Sequence, residues 1–219
     1  MQWGTQTQVN TEMLLFQKAY LSGESYRYYH LLSGQDLPIK PIEEIYHFFD
    51  NKHVQFLEFG ADNHDKYRFR MGSFHYNGSN KVLLRLFSYG NRINTMFGRD
   101  RLTKYNLQVY KGSNWASLTS EAVKYLVEHR KLIQRITRYS LCADEVYKHT
   151  LLMNSDRNFS INSGSDIRYI DWEHHEGTSP RTLRNGDYEI LMKSECLFAR
   201  KFDVDVDVII IKKIIDLNR

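Results

Sequence analysis

An α/β fold with a mixed sheet flanked by helices is predicted for this chain, on three observations. Apolar residues recur at helical spacing in several windows; short apolar runs between them have strand length; and the two kinds of segment alternate along the chain. With 219 residues, 42% of them hydrophobic, the chain can bury a sizeable core, and a single domain over residues 1–219 is expected.

The elements follow in order. Asn10 as N-cap, Glu12 in the first turn and Met13, Leu14, Leu15, Phe16, Ala19 and Tyr20 before Gly23 predict a first helix. Tyr28 to Leu32 reads as a buried strand delivering the polar loop Ser33-Gly34-Gln35-Asp36, which puts Asp36 at a strand end where α/β proteins collect ligands. Pro41 opens a helix reaching about Asp50. Strands are expected over Val54 to Phe59, Lys66 to Met71 and Leu107 to Tyr110, and the stretch from Asn77 to Lys104 is left unassigned. Ser117-Leu118-Thr119 leads into a helix with a hydroxyl cap and Glu121 in its first turn. A helix over Asp144 to Met153, a strand over Arg168 to Trp172 and helices over Asn185 to Lys193 and Val208 to Leu217 complete the pattern.

Composition narrows the function classes. A balance of 30 Lys and Arg against 26 Asp and Glu gives a net charge of +4, enough to favour a phosphate-bearing ligand but without the dense basic stripe that nucleic acid demands. Two cysteines, Cys142 and Cys196, are too few for a disulfide framework, which suits a reducing, cytoplasmic setting. The start, Met1-Gln2-Trp3-Gly4, has neither a basic nor an apolar leader segment, and no run of about 18 apolar residues follows. Peripheral association at the inner face of a bacterial membrane stays open. An aromatic content of 14% supplies rings whose flat faces suit sugar C–H groups, although most rings in any protein are core.

There is no glycine-rich phosphate loop, no nucleophile elbow and no Cys/His zinc spacing. What remains is a set of polar residues at element ends: Asp36, Ser113, Asp144-Glu145, Trp172 with His174-His175, Arg181, and Lys201 ahead of Asp203, Asp205 and Asp207. Acids in Asp-x-Asp spacing can hold a divalent cation against a diphosphate; on a strand, the same alternation simply places acids on one face and valines on the other. Adjacent histidines on a strand point to opposite faces, which argues against His174 and His175 sharing an ion.

Five segments carry a resemblance. Leu31-Leu32-Ser33-Gly34-Gln35-Asp36-Leu37-Pro38-Ile39-Lys40 is similar to the "LLSGQDyPIK" segment of the core-2/I-branching β-1,6-N-acetylglucosaminyltransferases and peptide O-xylosyltransferases, and Gly112-Ser113-Asn114-Trp115 to their "GSxW". Ala143-Asp144-Glu145 resembles "PDE", Arg168-Tyr169-Ile170-Asp171-Trp172 "RYIDW", and Leu197-Phe198-Ala199-Arg200-Lys201-Phe202-Asp203 "LFARKFD". The five keep the family's order, and the similarity runs from about Trp3 to Asp207.

The resemblance implies a GT-A-like fold and inverting transfer of GlcNAc or xylose from a UDP-sugar to a glycan or glycoconjugate hydroxyl, with no cofactor and no obligatory metal. It implies Glu145 as the catalytic base. Lys201 would meet the diphosphate, with Arg181 the nearest second cation, because Thr178 stands where core-2 enzymes have an arginine. Asp36 and Ser113 fall to the donor side or cleft floor, with local turn formation as the competing role. Trp172, Trp115 and Asp144 fall to the acceptor side, together with His174, which replaces a tyrosine of the core-2 branch. Family domains also carry a nucleotide-binding βα portion ahead of the "WG" segment, so about 60 to 80 residues that would hold the uridine are expected outside this chain. Two alternatives stay open: a carbohydrate-binding remnant that has lost its donor site, and a metal-dependent glycosyltransferase using Asp203, Asp205 and Asp207.

Overall fold

The computed structural model describes residues 4–60, 64–165 and 167–217; Met1 to Trp3, where the leader was sought and the resemblance begins, lie outside the described residues. In chain order the first half holds α1 (Gln6–Tyr20), β1 (Tyr28–Leu31), β2 (Asp36–Pro38), α2 (Ile42–Phe48), β3 (Gln55–Phe56), α3 (His64–Gly72) and α4 (Lys81–Met96). Then follow β4 (Ala116–Thr119), α5 (Ser120–Glu128), α6 (Arg130–Thr137), α7 (Tyr147–Met153) and β5 (Ile161–Asn162). The chain closes with β6 (Arg168–Ile170), α8 (Tyr188–Lys193), β7 (Phe198–Arg200) and α9 (Val208–Asp216). The fold is mixed α/β, with two small mixed sheets flanked by helices.

Two compact units divide the chain: Met1–Tyr29 with Val54–Gly164, and His30–His53 with Ser165–Arg219. The first holds β4, β3 and β5 of a sheet in the order β1-β4-β3-β5, in which β3 runs antiparallel to β4 and parallel to β5. All four residues of β4 are buried. Thr119 then caps α5 by accepting a hydrogen bond from the Ala122 amide, the hydroxyl cap expected from sequence. α1 packs on α5 and α6 through Val9, Met13 and Phe16. Each such buried apolar side chain contributes about 1.5–3 kcal/mol.

The second unit is built on β2-β7-β6, antiparallel across β2 and β7 and parallel across β7 and β6. Its core gathers Ile39, Leu183, Leu191, Ala199, Phe202, Ile210 and Ile214. Asp207 starts α9 by accepting from the amides of Ile209 and Ile210.

Several elements depart from expectation. α1 begins at Gln6, capped by Thr5 and not Asn10, because the burying face starts at Val9, ahead of the apolar run that suggested the boundary. Lys66 to Met71 is part of helix α3 and not a strand, and the unassigned stretch contains α4, the longest helix among the described residues. Leu107 to Tyr110 joins no ladder among the described residues. Asp144 and Glu145 sit in a separate single 3₁₀ turn before α7, broken from it by Val146 at φ −126°. Asp203 to Asp207 forms a turn and a helix cap, so the acids do not share one strand face.

Candidate active site

In the first unit the Gly112-Ser113-Asn114-Trp115 segment and the Ala143-Asp144-Glu145 turn are stitched together by backbone. The Gly112 amide donates to the Glu145 carbonyl (3.0 Å) and the Ser113 amide to the Glu58 carbonyl (2.9 Å). Gly112 is required by close approach: a Cβ there would overlap both the Glu58 carbonyl oxygen and Nε2 of His149. Gly112→Ala is therefore expected to destabilise the protein by about 1–3 kcal/mol or more, read as a lower denaturation midpoint. Gly34→Ala, where a Cβ meets nothing within 4 Å, is the control.

Glu145 is the centre of this unit's polar cluster. Its Oε2 accepts from Nη1 of Arg70 at 2.7 Å and lies 3.2 Å from Nζ of Lys111. Both cations fall on the same oxygen, and Oε1 makes no hydrogen bond among the described residues. The side chain is about a third exposed. The carboxylate is thus oriented by two cations with its other oxygen open.

Beneath it lies Lys148, wholly buried, whose ammonium donates to Glu12 Oε2 (2.7 Å), Asn114 Oδ1 (2.9 Å) and the Asp144 carbonyl (2.9 Å). Asp144 is itself buried and accepts from Nε2 of Gln8 at 2.9 Å. Burial pushes its carboxyl up to about 6, against the opposing pull of Lys148. Ser113 Oγ accepts from the Trp115 amide at 3.3 Å, a local turn, and Trp115 is half-buried.

His149 is sealed against this cluster, its Nε2 donating to the Glu58 carbonyl at 3.1 Å. Burial, aided by the Lys148 charge, lowers its pKa to about 3. Between about 6.5, the unfolded value, and about 3, only the unfolded chain binds that proton, so stability falls as pH drops through this window. His149→Gln, which keeps a donor toward Glu58, is expected to flatten the acid limb of a stability against pH curve by up to about 1.4 kcal/mol per unit.

In the second unit the three remaining motif segments become neighbours in one sheet: Asp36 opposes Arg200, and Arg168 opposes Phe198. Asp36 opens β2 instead of closing a strand, and its carboxylate is wholly buried, accepting from the Ser33 amide (2.6 Å) and Arg168 Nη1 (3.2 Å). Such a charge is tolerable inside only because it is paired. Lys201 follows β7, half-buried; its carbonyl accepts from the Leu183 amide at 2.8 Å, and its ammonium makes no hydrogen bond or ion pair among the described residues.

Arg181 is already committed. Its Nε donates to Asp171 Oδ2 (2.6 Å), while Nη1 and Nη2 grip Asp187 at 3.0 and 2.9 Å. These bonds, to Asp187 first, hold the guanidinium well above its usual range, and the Arg181 bond is the main reason Asp171 falls to about 2. Asp171 also accepts from the amide of His174, closing a turn from which Trp172 and His174 both project into solvent. Among the described residues no three His, Cys, Asp or Glu side chains gather as a metal site would require, and Asp207 is taken by the amides of Asn185, Ile209 and Ile210.

Sequence reasoning missed Arg70 and Lys111, which hold Glu145. Lys111 adjoins Gly112 and could have been noticed; Arg70 was hidden by reading α3 as a strand.

Each unit therefore collects motif residues distant in sequence around groups that carry charge, within a mixed α/β architecture. A family model described as "Core-2/I-Branching enzyme" matches residues 1–195, and the chain belongs to that family, whose members are glycosyltransferases. Its mixed α/β architecture is consistent with a GT-A-like domain. Two relatives from Arabidopsis thaliana are similar over part of the chain. "Beta-glucuronosyltransferase GlcAT14B" is 28% identical over 106 residues, 47% of this chain and 24% of that protein. "Beta-glucuronosyltransferase GlcAT14A" is 32% identical over 101 residues, 43% of this chain and 22% of that protein. The matches thus span about a quarter of those relatives.

Proposed function

We propose that this chain forms the acceptor-side and catalytic part of an inverting glycosyltransferase that moves a sugar from a UDP-sugar to a hydroxyl of a glycan or glycoconjugate. The observation that carries this reading is the geometry of Glu145, fixed through Oε2 by Arg70 and Lys111 with Oε1 open to take a proton. In one displacement, Oε1 removes the acceptor hydroxyl proton, the acceptor oxygen attacks the anomeric carbon, and the bond to the diphosphate breaks. UDP then leaves with an added negative charge, and Lys201, whose ammonium makes no ion pair among the described residues, is the cation that the family resemblance assigns to offset it in place of a metal ion. Arg181, already neutralised by Asp171 and Asp187, acts by fixing the strand-following turn that carries Trp172 and His174. Those two exposed rings are the acceptor platform.

GlcNAc and xylose are the donor sugars expected from the resemblance, and the names of the Arabidopsis relatives add glucuronic acid to the set worth testing. We place this activity in the cytoplasm, with peripheral association at the inner face of a bacterial membrane as the further option. The experiment is UDP release from each of these three donors with a panel of glycan acceptors. The expected result is acceptor-dependent release that Lys201→Ala weakens and added EDTA leaves unchanged. Glycan binding with no release from any donor would favour a carbohydrate-binding protein instead, and loss of turnover with EDTA a metal-dependent enzyme.

A further inference from the structure

α4 buries none of its residues, although it is amphipathic. Its inner side rests on Phe74, Tyr76 and Tyr139 through Phe87, and Asn91 holds the Phe74 backbone. Its outer side carries Val82, Leu86, Tyr89, Ile93 and Met96, at alternating steps of four and three residues, and each is more than half exposed. Phe97, 72% exposed, extends the stripe past the helix end. Monomeric proteins seldom leave so continuous an apolar face to water.

The charge beside this stripe says what covers it. Lys81, Arg85 and Arg92 lie along one edge of the outer face at helical spacing, and Arg99 follows its end. None of the four has an ion-pair partner among the described residues, and the sequence from Gly72 to Arg99 contains no Asp or Glu. At the same end of the helix a cavity of about 610 Å³ is lined by Asn94, Arg99, Lys104 and Arg135. Its carboxylate, Asp100, is held by Arg68 at 2.5 and 3.0 Å. A second copy packed through the same face would bring the same cations to the seam with no acids from this segment to meet them. An anionic surface meets both the stripe and the charge.

We propose that α4 is an interfacial helix that lies on an anionic phospholipid surface, its apolar stripe among the acyl-chain boundary and its cations on lipid phosphates. No described helix is long and apolar enough to cross a membrane, so this contact is peripheral. It is independent of the sugar-transfer reading.

The test is cosedimentation of the whole chain with vesicles of equal parts phosphatidylcholine and phosphatidylglycerol, and with phosphatidylcholine alone. Expected is binding to the mixed vesicles only, weakened by salt. Leu86→Glu with Ile93→Glu abolishes it, and Arg85→Glu with Arg92→Glu reduces it at least about tenfold. All four side chains are exposed, so the variants keep the wild-type circular dichroism. Glu145→Gln binds vesicles as wild type does, which separates this contact from catalysis. Absence of binding to the mixed vesicles, equal binding to both compositions, or binding untouched by the Leu86 and Ile93 changes overturns the proposal. So does a concentration-dependent dimer that those changes dissolve.

Discussion

Glu145→Gln is expected to lower acceptor-dependent UDP release by about two to four orders of magnitude, the usual contribution of a positioned general base. The amide is nearly isosteric, and its oxygen can still accept from Arg70 and Lys111, so the turn and the Gly112 to Glu145 backbone bond survive. Under the proposed mechanism, what is lost is the basic oxygen that takes the acceptor hydroxyl proton. The two cations make the comparison sharper, because they hold either side chain in one orientation and leave proton abstraction as the difference. Arg70→Met separates positioning from chemistry: it frees one side of the carboxylate without removing it. A moderate fall in kcat with the pH profile altered is expected there, whereas a purely structural arginine would change stability alone. Turnover in Glu145→Gln equal to wild type would remove Glu145 from the mechanism.

How much of this was legible in the sequence depends on whether local signals and tertiary contacts agreed. The Thr119 cap, the acidic first turn of α5 and the Pro41 start of α2 are local chemistry and read correctly. α3 did not, because Tyr67, Phe69 and Met71 alternate with Arg68 and Arg70 in a strand-like period of two. In the fold that alternation serves another end: Met71 is buried, Arg68 reaches Asp100 and Arg70 reaches Glu145. α4 escaped notice because its apolar stripe faces outward, so the pattern was present without a core to explain it. At the site, the motif residues were visible as words in a line, but their grouping was not. Asp36, read as a loop-end ligand, is an interior ion pair with Arg168, a relation between residues 132 apart that no spacing rule encodes. Arg181, read as the nearest second cation for the diphosphate, spends its donors on Asp171 and Asp187, each within ten residues, a pairing that the short spacing makes readable.

The largest expected loss of stability comes from Lys148, which no sequence signal marked. Lys148→Met removes an ammonium with no exposed surface and leaves Glu12, also buried, with the Tyr147 hydroxyl at 3.0 Å as its one remaining side-chain donor among the described residues. Breaking a buried pair from one side costs about 3–5 kcal/mol, because the remaining charge keeps its desolvation penalty without its partner. Against a total stability of about 5–15 kcal/mol, that loss lowers the chemical denaturation midpoint by a large fraction of its value. Glu12→Gln combined with Lys148→Met removes both charges and is expected to recover most of it, the signature of a pair as distinct from two independent contacts. The same ammonium holds Asn114 and the Asp144 carbonyl, so it ties α1 to both motif segments that frame Glu145. Under the proposed mechanism, the double variant should therefore regain its fold before it regains its rate: stability near wild type with turnover still depressed, because the Asn114 and Asp144 anchors remain absent. A Lys148→Met protein as stable as wild type, or a double variant no better than the single one, would show that this ammonium does not hold the segments together.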